Sequence, residues 1–176
     1  MLGRTYESAN RLRDAERVWR EAAQKFPGVD GLVFDLALCR EKLGDLEGAE
    51  TAVRDVLARE PANPTALNFL GYLLADHNRK LSEAVGLIQQ ALAIDPNNGA
   101  YLDSLGWAYY RLGRLSDARV QLERAILLAD DPVIHEHLGD VYKGMRLNDL
   151  ARAQYRLSLA SDAANPRVKA KLSRIR

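Results

Sequence analysis

The 176-residue chain has a single cysteine, Cys39, so it can form no internal disulfide and neither needs nor excludes an oxidising compartment. It has no apolar run of about 18 residues, so no stretch of it reads as a transmembrane helix. Its first ten residues, MLGRTYESAN, lack the apolar core of a signal peptide. Neither sign of charge dominates: 25 Lys and Arg against 24 Asp and Glu leave a formal net charge of +1. Proteins that grip phosphate backbones are usually basic, so nucleic acid is not the expected partner. Catalytic signatures are missing as well. There is no glycine-rich phosphate loop, no G-x-S-x-G and no H-E-x-x-H. Of the three histidines, His77, His135 and His137, the last two stand two residues apart, which does not put them on one helix face. With no cysteine nearby, a zinc site is not expected. Cys39, between Leu38 and Arg40, reads as a packing thiol rather than a nucleophile. His135 reads as a core or half-buried side chain. The carboxylates are scattered at helical spacing over solvated faces and nominate no acid–base pair. These absences point away from an enzyme, a cofactor and a metal.

What the chain has is repetition. A small residue after Leu recurs at Gly3, Ala37, Gly71, Gly106 and Gly139, spaced 34, 34, 35 and 33 residues apart. A second small residue keeps step at Ala15, Ala49, Ala84, Ala118 and Ala151, spaced 34, 35, 34 and 33. Pro27, Pro61 and Pro96 punctuate the same period. The added residue falls within ADHNRKLSEA and the lost one near LADDP, both turn-like stretches where a length change costs little. Between the markers, apolar residues fall at helical spacing, as in Leu102, Leu105, Tyr109 and Leu112. Gly106 and Ala118 are small where two antiparallel helices must approach closely, and Gly113 sits in the tight turn between them. Asn63-Pro64, Asp131-Pro132 and Asn165-Pro166 each read as an N-cap followed by a first-turn proline.

This pattern resembles the tetratricopeptide repeat, a helix–turn–helix unit of about 34 residues. The fourth copy matches as Leu102, Leu105-Gly106, Tyr109, Ala118 and Leu122, and the fifth as His135, Leu138-Gly139, Tyr142, Ala151 and Tyr155. The second is weaker, with Val33, Leu36-Ala37, Arg40, Ala49, Val53 and Pro61. The resemblance implies an all-α fold, a right-handed superhelical solenoid of antiparallel helix pairs. It implies one domain over 1–176, with repeats near 1–29 (partial), 30–63, 64–98, 99–131 and 132–164 and a C-terminal capping helix over 166–175. The first helix, Met1 to Ala9, is short: either translation starts there or, as the favoured expectation, the chain is a fragment or has a trimmed start. In the last helix, Val168, Leu172 and Ile175 share a stripe ringed by Arg167, Lys169, Lys171, Arg174 and Arg176, which reads as a solubilising cap in preference to a basic docking tail for an acidic partner.

In such arrays the first helix of each repeat lines a concave face that holds peptides. Carried over residue by residue, that face takes Phe34, Leu38, Asn68, Tyr72, Asp76, Asp103, Trp107, Tyr110, Arg111, Glu136, Asp140 and Lys143. Its middle is aromatic and its edges acidic, which suits a protein or peptide partner with basic residues. Trp107 and Tyr110 read equally as packing between first helices. The slots that hold a carboxylate clamp in one subclass carry Phe34, Leu38 and Asn68 here, without lysines, which disfavours that role. The expected function is therefore a non-catalytic interaction module. The alternatives are a scaffold that self-associates through its terminal repeats, or the interaction segment of a larger enzyme or envelope lipoprotein. The wording of residues 70–115 is similar to repeats in bacterial chains, several of them envelope-associated, which leans towards the cell envelope and leaves the cytoplasm open.

Overall fold

In a computed structural model, the described residues, 2–175, form eleven α-helices and no strand. They are α1 (Leu2–Ser8), α2 (Leu12–Lys25), α3 (Asp30–Lys42), α4 (Leu46–Arg59), α5 (Pro64–Asp76), α6 (Leu81–Ile94), α7 (Gly99–Arg111), α8 (Leu115–Leu128), α9 (Pro132–Gly144), α10 (Asn148–Ser161) and α11 (Pro166–Ser173). Met1, expected in the first helix, and Arg176, expected in the basic ring of the last, lie outside the described residues. The last helix ends at Ser173, short of the expected 175. Among the described residues no helix is long and apolar enough to cross a membrane. The chain divides into two compact units, Met1–Leu70 and Gly71–Arg176, and the division falls inside α5.

In the first unit, α1 packs on α2 where Gly3 lies against the Trp19 ring. Ala15, Trp19, Leu36 and Cys39 form a core that Tyr6, Ala23 and Leu32 complete. The Cys39 thiol is fully buried and donates to the Leu12 carbonyl oxygen at 3.2 Å. Burial raises its pKa, as expected of a packing thiol.

In the second unit the same crossing recurs. Gly71 lies against Ile88, Gly106 against Leu122 and Gly139 against Tyr155. Ala84, Ala118 and Ala151, the second small residues, are fully buried. The small residues let the helices approach, and the large one opposite fills the space, burying apolar area worth about 1.5–3 kcal/mol per side chain.

Local sequence sets the ends of these helices. Asn98 accepts from Ala100 N and Tyr101 N, Asp131 from Val133 N, and Asn165 from Arg167 N and Val168 N, which satisfies amides that have no partner in the first turn. Asn63 caps α5 through Ala66 N at 3.0 Å. Pro132 and Pro166 stand in the first turn, as expected. Each hairpin turn contains a left-handed residue at the same place: Asn10, Gly44, Asn78, Gly113 and Arg146. The hairpin with the added residue has a second one, Lys80, at φ 44°.

Candidate functional site

The second unit brings most of the expected face together. Helical spacing sets Asp103, Trp107, Tyr110 and Arg111 on one side of α7. Trp107 is pinned there from several directions. Its Nε1–H donates to Asp76 Oδ1 at 3.0 Å. Tyr110 stacks on it at 5.0 Å between ring centroids, and His137 of α9 stacks at 4.2 Å. The Arg111 guanidinium lies 5.6 Å from the ring centroid, and its Nη1 donates to the Asp76 carbonyl oxygen at 2.8 Å. His137 Nδ1 in turn meets Asp103 Oδ1 at 2.8 Å. Trp107 is therefore only 9% exposed, and packing takes most of its surface.

One helix further on, Glu136 is 2% exposed and accepts from Arg167 Nη2 at 2.7 Å and from Lys171 Nζ at 2.6 Å. Asp140 accepts from Lys171 Nζ and, at 2.7 Å, from the Tyr155 hydroxyl. Burial of Glu136 works against its charged form, but hydrogen bonds from Lys171 and Arg167 outweigh it and hold the carboxyl below its usual range. Burial, then the hydrogen bond to Asp140, pushes the Tyr155 phenol above the ordinary tyrosine range. Burial and Asp140 likewise raise Tyr110. Tyr142 is pushed up to about 12 by burial and by its hydrogen bond to Glu123.

The four acids offered to a ligand on sequence grounds, Asp76, Asp103, Glu136 and Asp140, thus each have a partner inside the unit. Tyr72, Tyr110 and Arg111 are half-buried, and Lys143 is exposed. Phe34, Leu38 and Asn68 belong to the first unit. There Phe34 stacks on Phe69 at 5.4 Å, Leu38 is 40% exposed, and Asn68 Oδ1 is buried without a partner. Sequence reasoning placed Arg167 and Lys171 in the basic ring of the last helix without pairing them to these acids, and it left His137 off the face. The signal was the period itself: each reaches back 31 to 35 residues to an acid of the preceding first helix. His135 is 8% exposed, buried as expected of a core side chain, and meets Gln154 Oε1 at 2.7 Å and Asp130 Oδ1 at 3.0 Å. Most of these polar groups engage one another, which fixes side chains in place and leaves a face of phenols and cations.

Two family profiles, both described as tetratricopeptide repeat, match the chain, one over residues 1–54 and 34–99 and the other over 77–139. A TPR repeat-containing protein of Pseudomonas aeruginosa is 39% identical over 128 residues, covering 71% of this chain and 22% of that protein. The protein CTR9 homolog of Arabidopsis thaliana is 33% identical over 119 residues, covering 65% of this chain and 11% of that one. The chain therefore spans less than a quarter of the length of either relative. Among solved structures, a thermophilic TPR protein of Thermus thermophilus superposes with a TM-score of 0.84 at 23% identity, over 98% of this chain and 94% of that one. MamA from Desulfovibrio magneticus superposes with a TM-score of 0.68 at 18% identity, over 94% and 93%. These likenesses show the fold.

Proposed function

Because the chain belongs to the tetratricopeptide repeat family, we infer that it is a non-catalytic interaction module whose second unit holds a segment of another protein against the first-helix face of α7 and α9. Repeats of this family generally mediate protein–protein interactions and are generally non-catalytic. The observation that carries the finer reading is the pinned Trp107. Asp76, His137 and Arg111 hold the indole in one orientation, and the indole holds Tyr110 half-exposed beside Arg111. A rigid aromatic surface with a polar handle loses little side-chain entropy on binding, which is what anchors at protein interfaces share.

A photo-crosslinking residue placed at Lys143, on that face, tests this in cells. It is expected to capture a partner polypeptide, and Tyr110→Ala is expected to lower capture about tenfold or more with helicity unchanged. The same residue placed at Leu127, which is 82% exposed on α8, is expected to capture none of that partner. Capture that ignores Tyr110, or that yields only a second copy of this chain, overturns the reading.

A further inference from the structure

α11 repeats the first-helix pattern. Asn165 caps it as Asp131 caps α9, Pro166 opens it as Pro132 opens α9, and Leu172-Ser173 stands 34 residues after Leu138-Gly139. It also repeats the grip. His137 reaches back from α9 to Asp103 and Trp107 on α7, and Lys171, 34 residues later, reaches back from α11 to Glu136 and Asp140 on α9.

The two grips differ in strength. His137 is 4% exposed and lies in a helix with nine buried residues. α11 is eight residues long and buries one of them, Val168, while the Arg167 side chain stays 65% exposed. Its polar hold on α9 is ionic, while Val168 is fully buried, Ile175 just beyond the helix is 8% exposed, and Arg152 Nη2 donates to the Ile175 carbonyl oxygen at 3.1 Å. Glu136 and Asp140 stand four residues apart, one helical turn, and so do Arg167 and Lys171. A desolvated carboxylate left without its cation is strongly disfavoured. An apolar or acidic helix therefore cannot take the place of α11, whereas a helix with two cations one turn apart can.

We propose that Glu136 and Asp140 form a receptor for a basic helix, that α11 is its resident occupant, and that a partner helix with cations at i and i+4 binds by taking α11's place. This rests on the interaction-module reading above and names the partner's chemistry and its regulation. Tethering favours α11, because a segment of the same chain competes at high effective concentration.

The probe is a synthetic peptide of residues 163–176, added to the full chain. Amide hydrogen exchange is expected to accelerate across residues 166–173 at saturating peptide, while residues 132–144 stay protected. In the full-length Arg167→Glu, Lys171→Glu variant the labelled peptide is expected to bind about tenfold or more tighter than to the unaltered chain, because its competitor is repelled. Adding Glu136→Gln and Asp140→Asn, or replacing both peptide cations with Gln, is expected to remove the gain. If residues 166–173 stay protected in the unaltered chain at peptide concentrations that saturate the charge-reversed one, or if that variant keeps its helicity and binds no tighter, α11 is a fixed cap and the proposal falls. Tyr110-dependent crosslinking that survives such a result leaves the interaction module standing, and loss of both removes the two readings together.

Discussion

An added Cβ at Gly106 would come 2.5 Å from Leu122 Cγ and 3.2 Å from the Ala118 carbonyl oxygen, neither of which is the loose end of a flexible side chain. At Gly86 of α6 an added Cβ meets nothing within 4 Å. Both glycines lie inside helices, yet they should respond oppositely. Gly106→Leu is expected to destabilise by roughly 1–3 kcal/mol through overpacking. Gly86→Ala is expected to stabilise by up to about 1 kcal/mol, because an interior helical glycine gives way to the best helix former. Thermal melting of both variants checks the pair, and a shift of the same sign would contradict the packing assigned to Gly106. The repeat register singled out Gly71, Gly106 and Gly139 because they recur one period apart after Leu. Trp107 was less legible. Its spacing fits a packing residue and a ligand contact equally, and only His137 and Asp76, 30 and 31 residues away, decide how much of it is covered.

Elements in this chain are delimited by a few side chains. Asn98 caps α7 through two backbone amides and its Nδ2 donates to Asp95 at 2.9 Å. Asn98→Ala should cost about 1 kcal/mol, read as a lower denaturant midpoint with an unchanged slope. A changed slope would mean that more than a cap is lost. The caps before proline were legible because Asn-Pro and Asp-Pro are local signals, and α5, α9 and α11 start where they predict. The hairpin turns followed from the period, and their left-handed position was legible locally where glycine occupies it, as at Gly113. Asn10, Asn78 and Arg146 adopt the same backbone without it, held by the helices on either side. The second helices were the least legible at their starts: Arg11, Arg114 and Leu147 precede α2, α8 and α10 without a side-chain cap, whereas Asp45, at the matching place before α4, caps through Gly48 N.

At the scale of the whole molecule, each unit contains one tryptophan: Trp19, bonded to Glu7, in the first and Trp107, bonded to Asp76, in the second. In a repeat array each repeat is stabilised by its neighbours, so a lesion should be felt most where it is made. Gly139→Leu, which drives a side chain into Tyr155, is expected to lower the urea midpoint reported by Trp107 more than that reported by Trp19. Trp19→Phe and Trp107→Phe backgrounds separate the two fluorescence signals. Equal shifts would mean that the chain unfolds as one block.

The sequence by itself determined the helices, their pairing in hairpins and the small residues at their crossings, since apolar periodicity, caps and glycine after leucine are short-range properties that repeat every turn or every 34 residues. Only the tertiary structure decided which polar side chains are held within the fold and which stay exposed. The hydrogen bonds that settle it join Asp76 to Trp107, Asp103 to His137 and Glu136 to Lys171, each one repeat away, and a side chain's own neighbours along the chain contain no record of what the next first helix brings beside it.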